Sequence, residues 1–178
     1  DELPASLFQS LFQSMDSEKD GLLSASEYAS IQQLMGTCTN GMMAVKPGGK
    51  GLDRTETNLL WHEKKSIPRT SSPVYYQGRL YLVNDGGLLA CLDAETGRQL
   101  KTVRGPARGK YFGSAVLADD KIYCANDRGE VTVISADPDL KVLSFAQFEE
   151  PIYPSPAISN GRLYLRTESR LFCFGEVK

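Results

Sequence analysis

The second part of this chain repeats itself, and an internal period constrains a fold more than local propensity does, because every copy must offer its neighbours the same faces. Laying Ser71 to Asp93 (SSPVYYQGRLYLVNDGGLLACLD) over Gly113 to Ser135 (GSAVLADDKIYCANDRGEVTVIS) sets Tyr81 on Tyr123, a step of 42 residues. A third copy, Pro154 to Gly175 (PSPAISNGRLYLRTESRLFCFG), brings Tyr164 to the same place after a step of 41. In each copy two short apolar runs flank a polar pair, Gln77-Gly78, Asp119-Asp120 or Asn160-Gly161. Such pairs, Asn-Gly above all, close two-residue hairpins. A further turn at Asp85-Gly86, Asp127-Arg128 or Glu168-Ser169 leads into a third run, Leu88 to Leu92, Glu130 to Ile134 or Arg170 to Phe174. Each copy reads as an antiparallel meander.

A period of about 42 residues with several short strands is the size of one β-propeller blade. Helical solenoids share the period, but these runs are β-branched and aromatic, and turn residues interrupt them roughly every ten positions. The small residues opening each copy, Ser71-Ser72-Pro73, Gly113-Ser114-Ala115 and Pro154-Ser155-Pro156, suit an innermost strand where blades converge. The expected fold class is mainly β: a partial propeller of about three four-stranded antiparallel blades over residues 40–178, with a helix-loop-helix over 1–39. Gly41 to Lys178 holds roughly 3.3 such units, fewer than the four or so that close a ring. The chain is therefore expected to be a C-terminal piece of a longer propeller, its remaining blades lying in the parent chain, or to complete a ring with a second copy.

The segment Cys91 to Leu100 (CLDAETGRQL) sharpens the reading. In an Asp-x-x-Thr-Gly turn the Asp93 carboxylate accepts backbone N–H groups ahead of it, while Gly97 takes a positive φ without a Cβ penalty. With that turn, LLACLDAETGRQL resembles the pyrroloquinoline-quinone-like (PQQ-like) propeller repeat, which also carries a closing leucine-tryptophan pair such as Leu60-Trp61. The second copy is degenerate there (VISADPDLKV), and Gly41 to Gly51 (GMMAVKPGGKG) looks like the closing strand of a preceding blade. The resemblance covers Gly41 to Lys178. The family includes quinoprotein dehydrogenases, BamB-like outer-membrane-protein assembly scaffolds and many bacterial propellers, and so implies a periplasmic or other extracytoplasmic setting.

The first part of the chain has a different period. Leu7, Phe8, Leu11, Phe12 and Met15 share one helical face, and Tyr28, Ile31, Leu34 and Met35 repeat the spacing after an acidic stretch. That stretch, DSEKDGLLSASE, resembles an EF-hand loop: Asp16 first, Glu18 third, Asp20 fifth, Gly21 sixth, Leu22 seventh through its carbonyl, Ser24 ninth and Glu27 twelfth. A calcium ion takes about six to eight oxygens, and one short loop supplies them only if Gly21 bends sharply and Glu27 returns from the next helix. Glu18 departs from the usual Asp or Asn. Ser24 to Glu27 (SASE) is also a capping box that starts a helix with no metal present. The expected cofactor is Ca2+, bound weakly by an unpaired loop and serving structure rather than sensing.

Composition excludes other classes. Twenty basic and twenty-two acidic residues give a net charge of −2, and no Lys/Arg block is long enough to track a nucleic-acid backbone. The longest apolar run, Leu88 to Leu92, is far short of the roughly 18 residues of a membrane span. Cys91, Cys124 and Cys173 sit in apolar strand patterns and are expected to be buried, Cys38 falls in a loop, and no C-x-x-C spacing suggests zinc. His62 has no nucleophile elbow to serve. Pro47 to Gly51 (PGGKG) lacks the first glycine and the Ser/Thr of a phosphate loop. A quinoprotein dehydrogenase is the enzymatic rival that the resemblance implies, but it needs a complete ring, and this chain has one Trp and no adjacent cysteines.

The expected function is a calcium-binding, non-catalytic module for protein interaction or scaffolding. A partner is expected at the residues just before each innermost strand, Arg69, Tyr111 and Tyr153 with their neighbours Thr70, Phe112 and Ile152, unless these aromatics pack between blades.

Overall fold

The computed structural model describes residues 12–37, 40–48 and 55–175, and within them all side chains but those of 31, 33–37, 55 and 56. Leu7, Phe8, Leu11, Cys38 and Gly49 to Gly51 lie outside the described residues. The chain divides into two compact units, Asp1–Thr39 and Asn40–Lys178. In the first, residues 12–15 are helical, and helix α1 (Ala25–Thr37) follows an irregular stretch. Tyr28, expected on an apolar face, is 56% exposed.

Among the described residues the second unit is built from four antiparallel sheets. Strands β1 (Met42–Val45) and β2 (Leu59–Glu63) form a two-stranded ribbon, with the single-turn helix α2 (Thr55–Asn58) leading into β2. A meander of β3 (Val74–Tyr76), β4 (Arg79–Asn84), β5 (Leu88–Asp93) and β6 (Gln99–Arg104) comes next. The second meander is β7 (Val116–Ala118), β8 (Lys121–Ala125), β9 (Glu130–Ser135) and β10 (Val142–Gln147). The third has three strands among the described residues, β11 (Ala157–Ser159), β12 (Arg162–Arg166) and β13 (Leu171–Phe174).

Register follows the sequence period. Val74 faces Tyr81, Val116 faces Tyr123 and Ala157 faces Tyr164. Both residues of each expected hairpin turn have positive φ: Gln77 and Gly78, Asp119 and Asp120, Asn160 and Gly161. That is the type I′ geometry whose twist matches paired strands. Asp119-Asp120 manages it without glycine, since short polar side chains tolerate the left-handed region.

The sheets pack face on face. Leu82, Ala90 and Leu92 of the first meander meet Met42 of the β1–β2 ribbon, while Tyr81, Val83, Leu89 and Cys91 on its other face meet Ile122, Cys124 and Ile134 of the second meander. Ala125 and Val131 of the second meander then meet Leu165 and Phe172 of the third. Each fully buried Leu or Ile in these layers contributes roughly 1.5–3 kcal/mol. The exposed ion pairs of Asp139 with Lys101 (3.5 Å) and Lys141 (3.6 Å) are of a kind worth about 0–1 kcal/mol each. Apolar layering holds the unit together.

Two close approaches explain the small residues. A Cβ on Gly113 would lie 2.7 Å from the backbone of Pro154 and Ser155, so the openings of the second and third copies touch backbone to backbone. At the Asp93 turn, Thr96 donates N–H and hydroxyl to Asp93 Oδ1 at 2.9 and 2.7 Å, and Gly97 has φ 71°. Trp61 of β2 lies on that turn: its Nε1 donates to the Ala94 carbonyl at 3.1 Å, and a Cβ on Gly97 would come within 2.5 Å of the indole.

One burial expectation is corrected. Cys91 and Cys124 are buried, but Cys173 is exposed. Cys173 has the register of Cys91, each facing its copy's tyrosine, Tyr164 or Tyr81. What buries Cys91 is the following meander, and among the described residues no sheet follows the third.

Candidate functional site

The acidic loop closes through its own carboxylates. Asp16, only 7% exposed, accepts the backbone N–H of Asp20 at Oδ1 (3.1 Å) and that of Gly21 at Oδ2 (2.8 Å). Gly21 makes the bend with φ 80°, a conformation glycine adopts without strain. Asp20 Oδ1 accepts the Leu22 N–H at 2.8 Å. Across the loop Glu27, 9% exposed, turns inward from α1. Its Oε1 accepts the Ser17 N–H (2.7 Å), the Ser17 hydroxyl (2.8 Å) and the Glu18 N–H (3.3 Å); its Oε2 accepts the Ser24 N–H and hydroxyl, both at 2.9 Å. The Ser24 backbone N–H, then the Ser17 and Ser24 hydroxyls, hold the Glu27 carboxyl at about 2, well below its usual value.

Both local motifs in the loop are visible here. The Glu27 N–H donates to Ser24 Oγ at 3.3 Å, which with the Ser24 N–H on Oε2 completes the capping box at the start of α1. The bend at Gly21, with the first and twelfth residues turned in, is the arrangement an oxygen-ligated cation needs. The remaining ligand candidates differ in placement. Glu18 and Asp20 are exposed, Ser24 is half-buried, and Leu22 is 69% exposed. Among the described residues no three His, Cys, Asp or Glu side chains converge as a metal cluster. Asp16 keeps free lone pairs for a cation, whereas Glu27 takes five donors on two oxygens, more than a carboxylate's roughly four lone-pair sites. A bidentate cation at Glu27 has to displace the Ser17 and Ser24 hydroxyls. The residues fit calcium in chemistry and at the loop's two buried carboxylates, and Glu18 and Asp20 complete the set only by turning in from solvent.

The expected partner positions lie on the loops of the sheet unit and separate into two classes. Arg69 is exposed, and Tyr153 is 51% exposed. Tyr111 is 3% exposed and belongs to the core between the first two meanders, which removes it from any surface. Burial pushes its phenol pKa up. The exposed aromatic beside it is Phe112, 49% exposed, whose ring meets Tyr153 edge-on at 5.7 Å. Ile152, also among the expected partner positions, is 1% exposed and packs in the core of the next layer; Tyr111 shares its register, and Phe112 shares its register with Tyr153.

No protein-family profile and no curated protein matches the chain. Among solved structures it is similar to BamB from Moraxella catarrhalis, with 13% identity, a TM-score of 0.55, and coverage of 66% of this chain and 36% of that one. It is also similar to the quinohemoprotein alcohol dehydrogenase ADHIIG from Pseudomonas putida HK5, with 16% identity, a TM-score of 0.50, and coverage of 60% of this chain and 23% of that one. A computationally designed protein, Ika8, matches with 8% identity, a TM-score of 0.52 and coverage of 66% and 36%. The chain thus spans well under half the length of these neighbours. At these identities the likeness is one of fold: the sheets are those of a β-propeller, as the 42-residue step led us to expect. One fold here serves both BamB and an alcohol dehydrogenase, so activity does not travel with it. Among the described residues no helix is long and apolar enough to cross a membrane.

Proposed function

We propose that this chain is a calcium-binding, non-catalytic propeller module that holds protein partners in the bacterial cell envelope. The observation that carries the calcium part is the loop itself, where Asp16 and Glu27 are buried on either side of the Gly21 bend while most of the residues between them are exposed. Calcium bridging the two carboxylates ties the ends of the loop together. The non-catalytic part is supported by the carboxylates of the sheet unit, several of which are engaged in holding turns. Asp93 caps its own turn, Asp85 accepts the Tyr111 N–H (2.9 Å), and Glu150 takes the Thr167 and Ser169 hydroxyls, each at 2.6 Å.

The scaffold extends through its end faces. Leu171 is 71% exposed although its counterpart Leu89, in the same register, is 1% exposed. On the β1–β2 ribbon, Met43, Val45 and Leu60 are exposed at 57%, 61% and 61% while the opposite face packs on the first meander. Such faces suit further blades, from the parent chain or a second copy. The competing reading of the loop, a metal-free capped turn, has the Ser24–Glu27 box in its favour.

Calorimetric titration separates the two. Calcium binding in the range of about 10⁻⁴–10⁻³ M, abolished by Glu27→Gln, supports the module as proposed. No calcium heat at millimolar metal, with the same melting temperature for both proteins in calcium, leaves only the capped turn.

A further inference from the structure

We infer that the loops and turns at one end of the first two meanders, with the Phe112–Tyr153 pair beside them, form a docking site for a short acidic, aromatic-bearing segment of a protein partner; this rests on reading the chain as an interaction scaffold. These loops are one hydrogen-bonded surface. Thr70 Oγ1 donates to the Tyr111 carbonyl (2.7 Å), the Gly86 N–H to the Gly109 carbonyl (3.0 Å), and the Lys110 N–H to Asp127 Oδ1 (2.7 Å). Arg104 Nη1 donates to the Gly86 carbonyl at 2.8 Å.

Five cations stand exposed on that surface, Arg69, Arg104, Arg108, Lys110 and Arg128. None is in an ion pair among the described residues, whose pairs involve Lys101, Lys141 and Arg170. The carboxylates among the same loops face their own backbone. Asp85 accepts the Tyr111 N–H, Asp127 the Lys110 N–H, and Glu130 Oε2 the N–H groups of Arg108 (2.8 Å) and Gly109 (3.0 Å). Burial works against the Glu130 charge, yet hydrogen bonds from Asn126, Arg108 and Gly109 and the charge of Arg128 hold its carboxyl below the usual range. The acids are used as internal acceptors, while the five exposed bases carry their charge outside any ion pair among the described residues, Arg104 and Arg108 each also donating from Nη1 to backbone carbonyls. A local positive excess thus forms on a chain whose net charge is −2.

Beside the cations lies the half-exposed Phe112–Tyr153 pair. Aromatic anchors flanked by Arg and Lys suit a ligand with carboxylates and a ring of its own. A long polyanion suits the surface less well. The excess is small, and the opposite ends of these meanders carry Asp93, Glu95, Asp119, Asp120, Asp137 and Asp139, which repel a continued phosphate backbone. The two rings also meet at 62° rather than lying parallel as a platform for bases.

Fluorescence polarisation of the intact protein tests the site. The probe is a short labelled peptide of alternating Glu and Phe, compared with one in which Gln replaces Glu and with a labelled oligothymidine. The Glu peptide is expected to bind about tenfold tighter than the Gln peptide, to weaken with salt, and to lose about tenfold on Arg69→Glu with Lys110→Glu in a protein of unchanged circular dichroism. Phe112→Ala weakens it independently. Equal binding of the Gln peptide, indifference to the charge reversals, a preference for oligothymidine, or no peptide binding at all overturns the inference. Calcium titration of the same sample reads the module separately, so a failed peptide with intact calcium heat rejects the docking site alone.

Discussion

Ser72 donates its backbone N–H to the Oγ of Ser114, 42 residues further on, at 2.9 Å, and Ser114 does the same to Ser155 at 2.8 Å. A hydroxyl at this position in the second and third copies thus links three consecutive sheets where their first strands begin. The link needs a side chain short enough for the close approach at Gly113, and it needs an oxygen. Ser114→Ala keeps the size and removes the acceptor for Ser72. The expected cost is about 0.5–1.5 kcal/mol, read as a lower urea midpoint with an unchanged slope. An unchanged midpoint would mean that water replaces the hydroxyl without loss.

Trp61 reports on the Asp93 turn because it is the chain's single tryptophan. Gly97→Ala places a methyl where the indole sits and asks alanine for a left-handed φ. Loss of more than about 1 kcal/mol is expected, with a red shift of tryptophan emission as the ring is pushed toward solvent. Unchanged emission would show that the ring and the turn are not in contact.

Tyr111 and Tyr153 should part company. Tyr111→Ala empties a core position between the first two meanders and is expected to cost about 3–5 kcal/mol. Tyr153→Ala trims an exposed ring and should leave the melting temperature within a degree or so, since surface changes usually stay within about 0.5 kcal/mol. Thermal denaturation of the two variants side by side checks this, and equal destabilisation would contradict it.

Acid should weaken the third meander through Glu150. The Ser169 hydroxyl, the Thr167 hydroxyl and the Ser169 N–H hold its carboxyl at about 2, below the ordinary 4.5. A depressed folded-state value means that Glu150 stabilises the fold above pH 4.5 and that this contribution is lost as pH falls from 4.5 toward 2. Glu150→Gln should lower the melting temperature at neutral pH and shrink the drop between pH 4.5 and 2. A variant with the wild-type pH profile would assign the acid sensitivity elsewhere.

How much of this could be read from the chain depends on whether the determinant was local or came from a neighbouring sheet. The I′ turns at Gln77-Gly78, Asp119-Asp120 and Asn160-Gly161, and the Asp93 turn, were legible because each depends on a few adjacent residues. The layered sheets followed from the period. Burial was harder. Cys173 carries the same apolar strand pattern as Cys91, and only the presence or absence of a following sheet decides which is covered. Whether Tyr111 and Tyr153 anchor a partner or pack between blades stayed open in the sequence, because aromatics occur both as anchors and as core, and a linear pattern does not show which way a loop residue turns. Of the cations near Phe112 only Arg69 was among the expected partner positions, because Arg104, Arg108, Lys110 and Arg128 are spread over the sequence and gather only when the loops pack. In the acidic segment the Gly21 bend and the capping box were both readable, and their competition for Glu27 was not, because it depends on the Ser17 donors across the loop.

The most direct test of the calcium-bound module is a crystal of the chain grown in excess calcium and examined for anomalous scattering at the loop. We predict a peak about 2.3–2.6 Å from oxygens of Asp16 and Glu27, with Asp20 turned in from solvent and the Ser17 and Ser24 hydroxyls displaced. A loop without a peak, in which Ser17 and Ser24 still hold Glu27, would contradict it.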